Sequence, residues 1–395
     1  VLPASLHRLP RHVILLGAFA LVAGLALMIL LARGPAPELA EEPLAEAELP
    51  ASIIRVVGEP EAPGLTLHLP TSNDNLLRDA RPQFYMGLDA TVPVLRPERW
   101  MGGQYGFVRN VANTPAGPTF TRVHQGIDIR PLFRDEQEVP LDTVRVIGPG
   151  TVAHVNAAAG GSNYGRYVVV RHPWDGSNVY TLSAHLATVS VERGEEVEMG
   201  QPIGIMGYTG AGLGRHRAHL HLEVALMANQ HYSRWHQAFH GGPSPQGAYF
   251  GRNLVGINPS ELLLALNEDP ELTFSKFVQS RPVGYRIAIP GQYPLDILQR
   301  YPWLAAEGVS PDHVGPNGAW VVSFTREGVP IQIDRQPTPV EVPEVISVAE
   351  EVRRDYLATA GYLVRGGDGE YRLTRAGLAY AGLLATTEDR VPQWW

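Results

Sequence analysis

The sequence predicts a mainly β protein, preceded by an N-terminal transmembrane helix and followed by a small α+β C-terminal domain. Three observations predict it. Between about Gln83 and Leu266, short apolar stretches recur between Gly-containing turns, the pattern of antiparallel strands joined by tight connections. Val13 to Leu31 is an unbroken apolar run; as a helix at ~1.5 Å per residue it spans roughly the hydrocarbon core of a bilayer. Beyond Arg281, helical spacing and hairpin signals alternate. A chain of 395 residues exceeds the usual single-domain size, and 44% hydrophobic content supports a sizeable core.

Taken in order, residues 1–12 form a basic tip, because His7, Arg8 and Arg11 precede the apolar run. Residues 13–31 are the membrane anchor. Arg8 and Arg11 stay cytoplasmic while Glu38, Glu41, Glu42, Glu46 and Glu48 lie outside. That orientation predicts a single pass through a bacterial cytoplasmic (inner) membrane, with the bulk of the chain on the periplasmic or extracytoplasmic side. A cleaved signal peptide fits less well: the run exceeds a typical h-region and Ala32 to Pro37 offers no clean small-x-small site. Residues 32–82 are a Pro/Ala/Glu-rich linker that cannot bury enough apolar surface to fold alone.

The main domain is expected over 83–267, with strands at Val144–Ile147, Thr151–Val155, Tyr167–Arg171, Val179–Ala184, Val189–Val191, Pro202–Met206 and His219–Leu226. Arg193 to Gly204 resembles the hairpins of barrel-sandwich domains. Asn229 to Asn253 reads as a long loop bordering the site, and Ser260 as the cap of a closing helix over Glu261–Leu266. Residues 281–395 form the C-terminal α+β unit. Val345, Val348, Val352 and Tyr356 make a helical stripe, a hairpin turns at Gly366–Gly369, and Thr374 caps a last helix through Leu384. Helix, hairpin and helix faintly resemble a winged-helix module, for which a docking role is expected.

Charge and composition exclude some functions. A net charge of -8 argues against a nucleic-acid partner held by blanket phosphate contacts. With no cysteine, there is neither a disulfide framework nor a thiol nucleophile, and any metal must be held by nitrogen and oxygen.

Chemistry concentrates in three short motifs. In His124-Gln-Gly-Ile-Asp128 an even spacing puts both polar side chains on one strand face. In His219-Leu-His221-Leu-Glu223 three polar residues share one face and three apolar ones (Leu220, Leu222, Val224) the other. His185 lies between the two in chain order. Imidazoles and a carboxylate gathered in this way are the donor set of a metal site.

These motifs resemble the M23 family of zinc metallopeptidases, the LytM or lysostaphin-type endopeptidases. The likeness covers about Gln83 to Leu266 and includes Gly148-Pro-Gly-Thr-Val152, Tyr164-Gly-Arg-Tyr-Val-Val-Val-Arg-His172, Tyr180-Thr-Leu-Ser-Ala-His185-Leu and Gly207-Tyr-Thr-Gly210 besides the three motifs. It implies a barrel-sandwich LytM-type fold, Zn²⁺ held by His124, Asp128 and His221, and catalytic histidines at His185 and His219. Two neutral imidazoles and one carboxylate leave a fourth position for water, as in catalytic zinc sites with bonds of roughly 2.0 to 2.2 Å. The implied activity is hydrolysis of peptide cross-links of peptidoglycan. Two alternatives stay open: a non-catalytic LytM-type module regulating another wall hydrolase, and an endopeptidase acting on Gly-rich proteins. The sequence departs from the family in the long approach Gly210 to Ala218 before His219. His216 is placed to line the cleft and Glu223 to orient a metal histidine. His154, His172, His231, His236, His240 and His313 lack paired spacing and read as surface or satisfied core residues.

Overall fold

The computed structural model describes residues 56–57, 64–88, 98–114, 117–349, 361–365 and 370–395, the backbone alone at 56–57, 110–114, 117–121 and 364–365. The basic tip at 1–12 and the anchor at 13–31 lie outside the described residues. Among the described residues no helix is long and apolar enough to cross a membrane.

Seven strands build the main sheet: β1 (Ile127–Ile129), β2 (Gly150–Asn156), β3 (Arg166–Trp174), β4 (Ser177–Leu186), β5 (Glu196–Val197), β6 (Leu220–Met227) and β7 (Leu254–Ile257). The order is β5-β2-β3-β4-β6-β7, with β1 sharing the far edge of β6 with β7. Every pairing is antiparallel. Alternation along β3 decides the packing: Val168 and Val170 enter the larger core, Tyr167 and Val169 the smaller one on the opposite face. Both faces of the sheet are therefore buried. The polar face expected of β6 is a site at one end only; beyond Glu223 the same face continues as Ala225 and Met227 in the smaller core.

Part of the expected linker is folded. Leu67, Leu69 and Leu76 belong to the larger core, and the His68 N–H donates to the Ile147 carbonyl at 2.8 Å. Three leucines at alternate positions, Leu65, Leu67 and Leu69, are hidden in the Pro/Ala/Glu-rich average of the preceding stretch. The Asn229–Asn253 segment is not all loop either. It contains α1 (Tyr232–His240), which buries Tyr232 and Trp235. The closing helix α2 (Pro259–Glu268) is capped by Asn258, whose side chain accepts from the Ser260 and Glu261 N–H groups. Ser260 is not the cap because Pro259, lacking an N–H and preset for helix, takes the first helical position. The Ser260 hydroxyl instead accepts from Tyr85 at 2.7 Å.

Beyond Arg281 a second antiparallel sheet forms from β8 (Tyr285–Pro290), β9 (Ala319–Phe324), β10 (Pro330–Gln336) and β11 (Glu344–Val348), in the order β10-β9-β8-β11. The helix expected from Val345 is thus a strand over its described residues, and the rest of that stripe, including Val352 and Tyr356, lies outside them. Pairing with β8 overrides the helical spacing, which the β-branched Val345, Ile346 and Val348 also disfavour. Among the described residues a four-stranded sheet is the base of this part. The hairpin Leu363–Arg365/Tyr371–Leu373 and α3 (Arg375–Leu384) follow as expected, with the Thr374 hydroxyl accepting from the Gly377 N–H at 3.1 Å. All of this belongs to one compact unit from Ile53 to Trp395.

Candidate metal centre

Register brings the motifs together. His221 on β6 pairs with Asp128 on β1 on one side and with Ala184 on β4 on the other, so His185 follows directly. Gly126 makes the approach of β1 possible: a Cβ there would stand 2.3 Å from the Leu222 carbonyl oxygen. His185, at the irregularity where β4 pairs with β3, takes a left-handed conformation, φ 65°, unusual for a non-glycine residue. Its N–H is held by the Tyr164 carbonyl at 2.9 Å.

Each imidazole is fixed by a bond at one ring nitrogen. His124 donates Nδ1–H to the Gln104 carbonyl at 2.8 Å, His185 to that of Thr209 at 2.8 Å, and His219 to that of Arg217 at 2.6 Å. A carbonyl only accepts, so the Nε2 of each ring is left for other work. His221 is turned the other way: Nε2 donates to Glu223 Oε1 at 2.9 Å and Nδ1 meets Asp128 Oδ1 at 2.9 Å. His124 Nε2 lies 3.1 Å from His221 Nδ1 and 3.0 Å from Asp128 Oδ1. A tetrahedral ion with bonds of about 2.0–2.1 Å holds its ligand atoms roughly 3.3 Å apart, close to these separations. The nitrogen and carboxylate donors, all buried, thus fit Zn²⁺.

The two remaining histidines border the same point. His219 Nε2 is 3.4 Å from Asp128 Oδ1. The His185 ring lies 4.8 Å from that of His219 and 5.8 Å from that of His221. Burial lowers His124, against the pull of Asp128. Burial, followed by the charges of His219 and His221, drives His185 well below its ordinary value. Asp128 is pushed up by burial, but His124 and His219 outweigh this and hold it well below the carboxylate range. His221 is opposed by burial, yet its hydrogen bonds to Asp128 and Glu223 raise it to about 9.

The structure brings all five expected residues to one locus and adds supports that strand spacing did not reveal. Glu223 orients His221 as expected, and it also accepts from the Tyr164 hydroxyl at 2.6 Å. Arg109 Nη2 stands 3.6 Å from Asp128 Oδ2. No periodic signal marks Arg109 or Tyr164, because each arrives from a neighbouring strand or turn. His216 is exposed on the Arg215–Arg217 turn. His172 is a satisfied core residue between the Pro149 carbonyl and the Thr181 hydroxyl. His236 and His240 pack on each other at 4.5 Å, near neither metal ligand motif in sequence.

A His-Asp-His cluster with two flanking imidazoles, built on a central antiparallel strand, has the donor set of a mononuclear metal site. Residues 122–233 match the model of peptidase family M23, and the chain carries an M23 peptidase domain there. An uncharacterized metalloprotease of Haemophilus influenzae is 38% identical over 107 residues, 27% of this chain and 19% of the relative's length. Among solved structures, a zinc containing peptidase from Vibrio cholerae is 26% identical, covering 36% of each chain at a TM-score of 0.24. The catalytic domain of the antimicrobial peptidase lysostaphin from Staphylococcus simulans is 19% identical over 42% of this chain and 97% of its own, at a TM-score of 0.25.

Proposed function

We propose that the chain is a membrane-anchored zinc metalloendopeptidase that hydrolyses peptide cross-links of peptidoglycan. The observation carrying this reading is the convergence of five fixed side chains in an M23 domain, three as ligands and two with a free ring nitrogen beside them. His124, Asp128 and His221 would hold the ion. When bound, zinc supplies Lewis acidity that polarises an amide carbonyl and acidifies a water. His185 and His219 share the proton work through their free Nε2 atoms: one would accept the proton of the attacking water and, as imidazolium, pass it to the leaving amine, while the other, when protonated, would donate a hydrogen bond to the developing oxyanion. Glu223 and the carbonyls of Gln104, Thr209 and Arg217 hold the rings in the orientation this needs. The apolar run Val13–Leu31 supports an exported, tethered site facing the wall.

The test is cleavage of cross-linked muropeptides by the zinc-loaded full chain, with and without chelator. Cleavage that stops on chelation is expected. His221→Ala is expected to lose zinc, and His185→Ala to keep zinc and lose turnover by about 100-fold or more. A folded, zinc-loaded sample that cuts nothing would favour the regulatory module instead.

A further inference from the structure

Beside the metal centre the chain gathers positive charge that no described carboxylate neutralises. Phe239, in the last turn of α1, carries two guanidinium groups over its ring: Arg375 Cζ at 4.9 Å and Arg252 Cζ at 5.5 Å from the centroid. His240 packs on the same ring at 4.7 Å. Arg122, two residues before His124, adds its charge from the neighbouring hairpin. Burial first, and then His236, Arg252, Arg375 and Arg122 together, hold His240 below its ordinary value. Among the described residues none of the three arginines has an ion-pair or hydrogen-bond partner, and Arg252 Nη1 is buried without one. Arg122 also stands directly across from Arg109 in the hairpin Val108–Thr114/Gly117–Val123. Like charges directly opposite are unfavourable by themselves.

The patch continues into the metal centre through two rings. Phe250, two residues before Arg252, meets Tyr164 edge-on at 5.4 Å, and Tyr164 stacks on His221 at 5.5 Å. We propose that Arg122, Arg252 and Arg375 form a carboxylate-binding subsite that selects peptides bearing a free acid group near the bond to be cut. Guanidinium forks pair with carboxylates through two parallel N–H bonds, and backing on an aromatic ring fixes their planes. Arg122 and Arg375 are exposed and open to a ligand. In a chain of net charge -8 this is a local attraction for an anionic group, not a general one. The subsite rests on the peptidase reading above and deepens it.

The probe is one cross-linked muropeptide prepared in two forms, with free carboxyls and with those carboxyls amidated. Binding is measured on the zinc-loaded full chain carrying His185→Ala, and cleavage on the unaltered chain. The acid form is expected to bind at least about tenfold tighter than the amide. Arg252→Gln with Arg375→Gln should erase that preference, and the corresponding Arg→Lys pair should keep part of it, with zinc content and thermal midpoint reporting the fold. If the double variant does not fold, Arg122→Gln, on an exposed position, is read in its place. Equal binding of the two forms, or a preference that survives both sets of Gln variants, overturns the subsite. An intact acid preference without cleavage of either form would remove the peptidase reading and leave the subsite standing. Cleavage of both forms with no preference would do the reverse.

Discussion

At the scale of single residues, the hydrogen-bond partners of His221 set the cost of loading the metal. Without an ion both ring nitrogens face carboxylate oxygens, and the residue titrates at about 9. At pH 7 zinc must therefore displace the Nδ1 proton, while Nε2–H stays on Glu223. Zinc affinity should rise about tenfold per pH unit from 7 towards 9 and level off above it. Calorimetry in buffers of different ionisation heat should register about one proton released per zinc at pH 7; a count near zero would show that His221 is already neutral. His172 makes a separate, structural prediction. Burial lowers it from 6.5 to about 4, against its bond to the Pro149 carbonyl. Between those values the unfolded chain binds a proton that the folded chain refuses. The residue's contribution is whole above pH 6.5 and falls away as the pH drops towards 4, by about 3 kcal/mol. Urea midpoints at pH 7 and 4.5 should diverge less in His172→Gln than in the unaltered chain; an equal drop in both would sink the assignment. His172 was legible only as a satisfied core histidine, since its partners come from another strand and a turn.

At the scale of elements, local chemistry set most boundaries and tertiary contacts reset a few. The cap of α2 is local: Asn258→Ala should cost about 1 kcal/mol by removing the acceptor for two N–H groups. A thermal midpoint unchanged from the parent chain would contradict this. Period-two alternation made β2, β3, β4 and β6 readable, because apolar residues at every second position fill one core or the other. Alternation could not distinguish one buried face from two, however, and so the polar face expected at His219, His221 and Glu223 gave no sign that it ends there and continues as buried Ala225 and Met227. The stripe at Val345–Tyr356 misled for a related reason. Val345 and Val348 fit a helix by spacing, yet the open edge of β8 lies within reach and offers ladder hydrogen bonds. α1 was missed because Tyr232, Trp235 and Phe239 are sparse among polar residues, and only packing on α3 and Trp395 gives that face a partner.

At the scale of the whole molecule, a few hydrogen bonds tie the segment that follows β8 to the first sheet, and α3 to α1 and the end of β6. The Tyr301 hydroxyl donates to the Asn178 carbonyl at 2.7 Å and accepts from the Met227 N–H at 2.8 Å. Trp235 Nε1–H donates to the Ala379 carbonyl, and the Asn229 amide to those of Leu383 and Thr386, the first at 2.7 Å and the other two at 2.8 Å. Tyr301→Phe leaves the buried Met227 N–H unpaired and removes the bond to the Asn178 carbonyl, so a loss of about 1–3 kcal/mol is expected. It should appear as one lowered urea transition for both sheets. Two separated transitions would mean that the sheets unfold independently.

The sequence by itself determined the five side chains of the centre, their strand spacing and the absence of thiolate chemistry, because residue identity and alternation are local properties. It did not determine which nitrogen of each ring is free, how Arg109 and Tyr164 support the ligands, or that Arg252 and Arg375 meet over Phe239. Those depend on carbonyls and rings brought from distant strands and helices. Only the tertiary structure decided them, since hydrogen-bond direction and charge proximity belong to positions in space rather than to order along the chain.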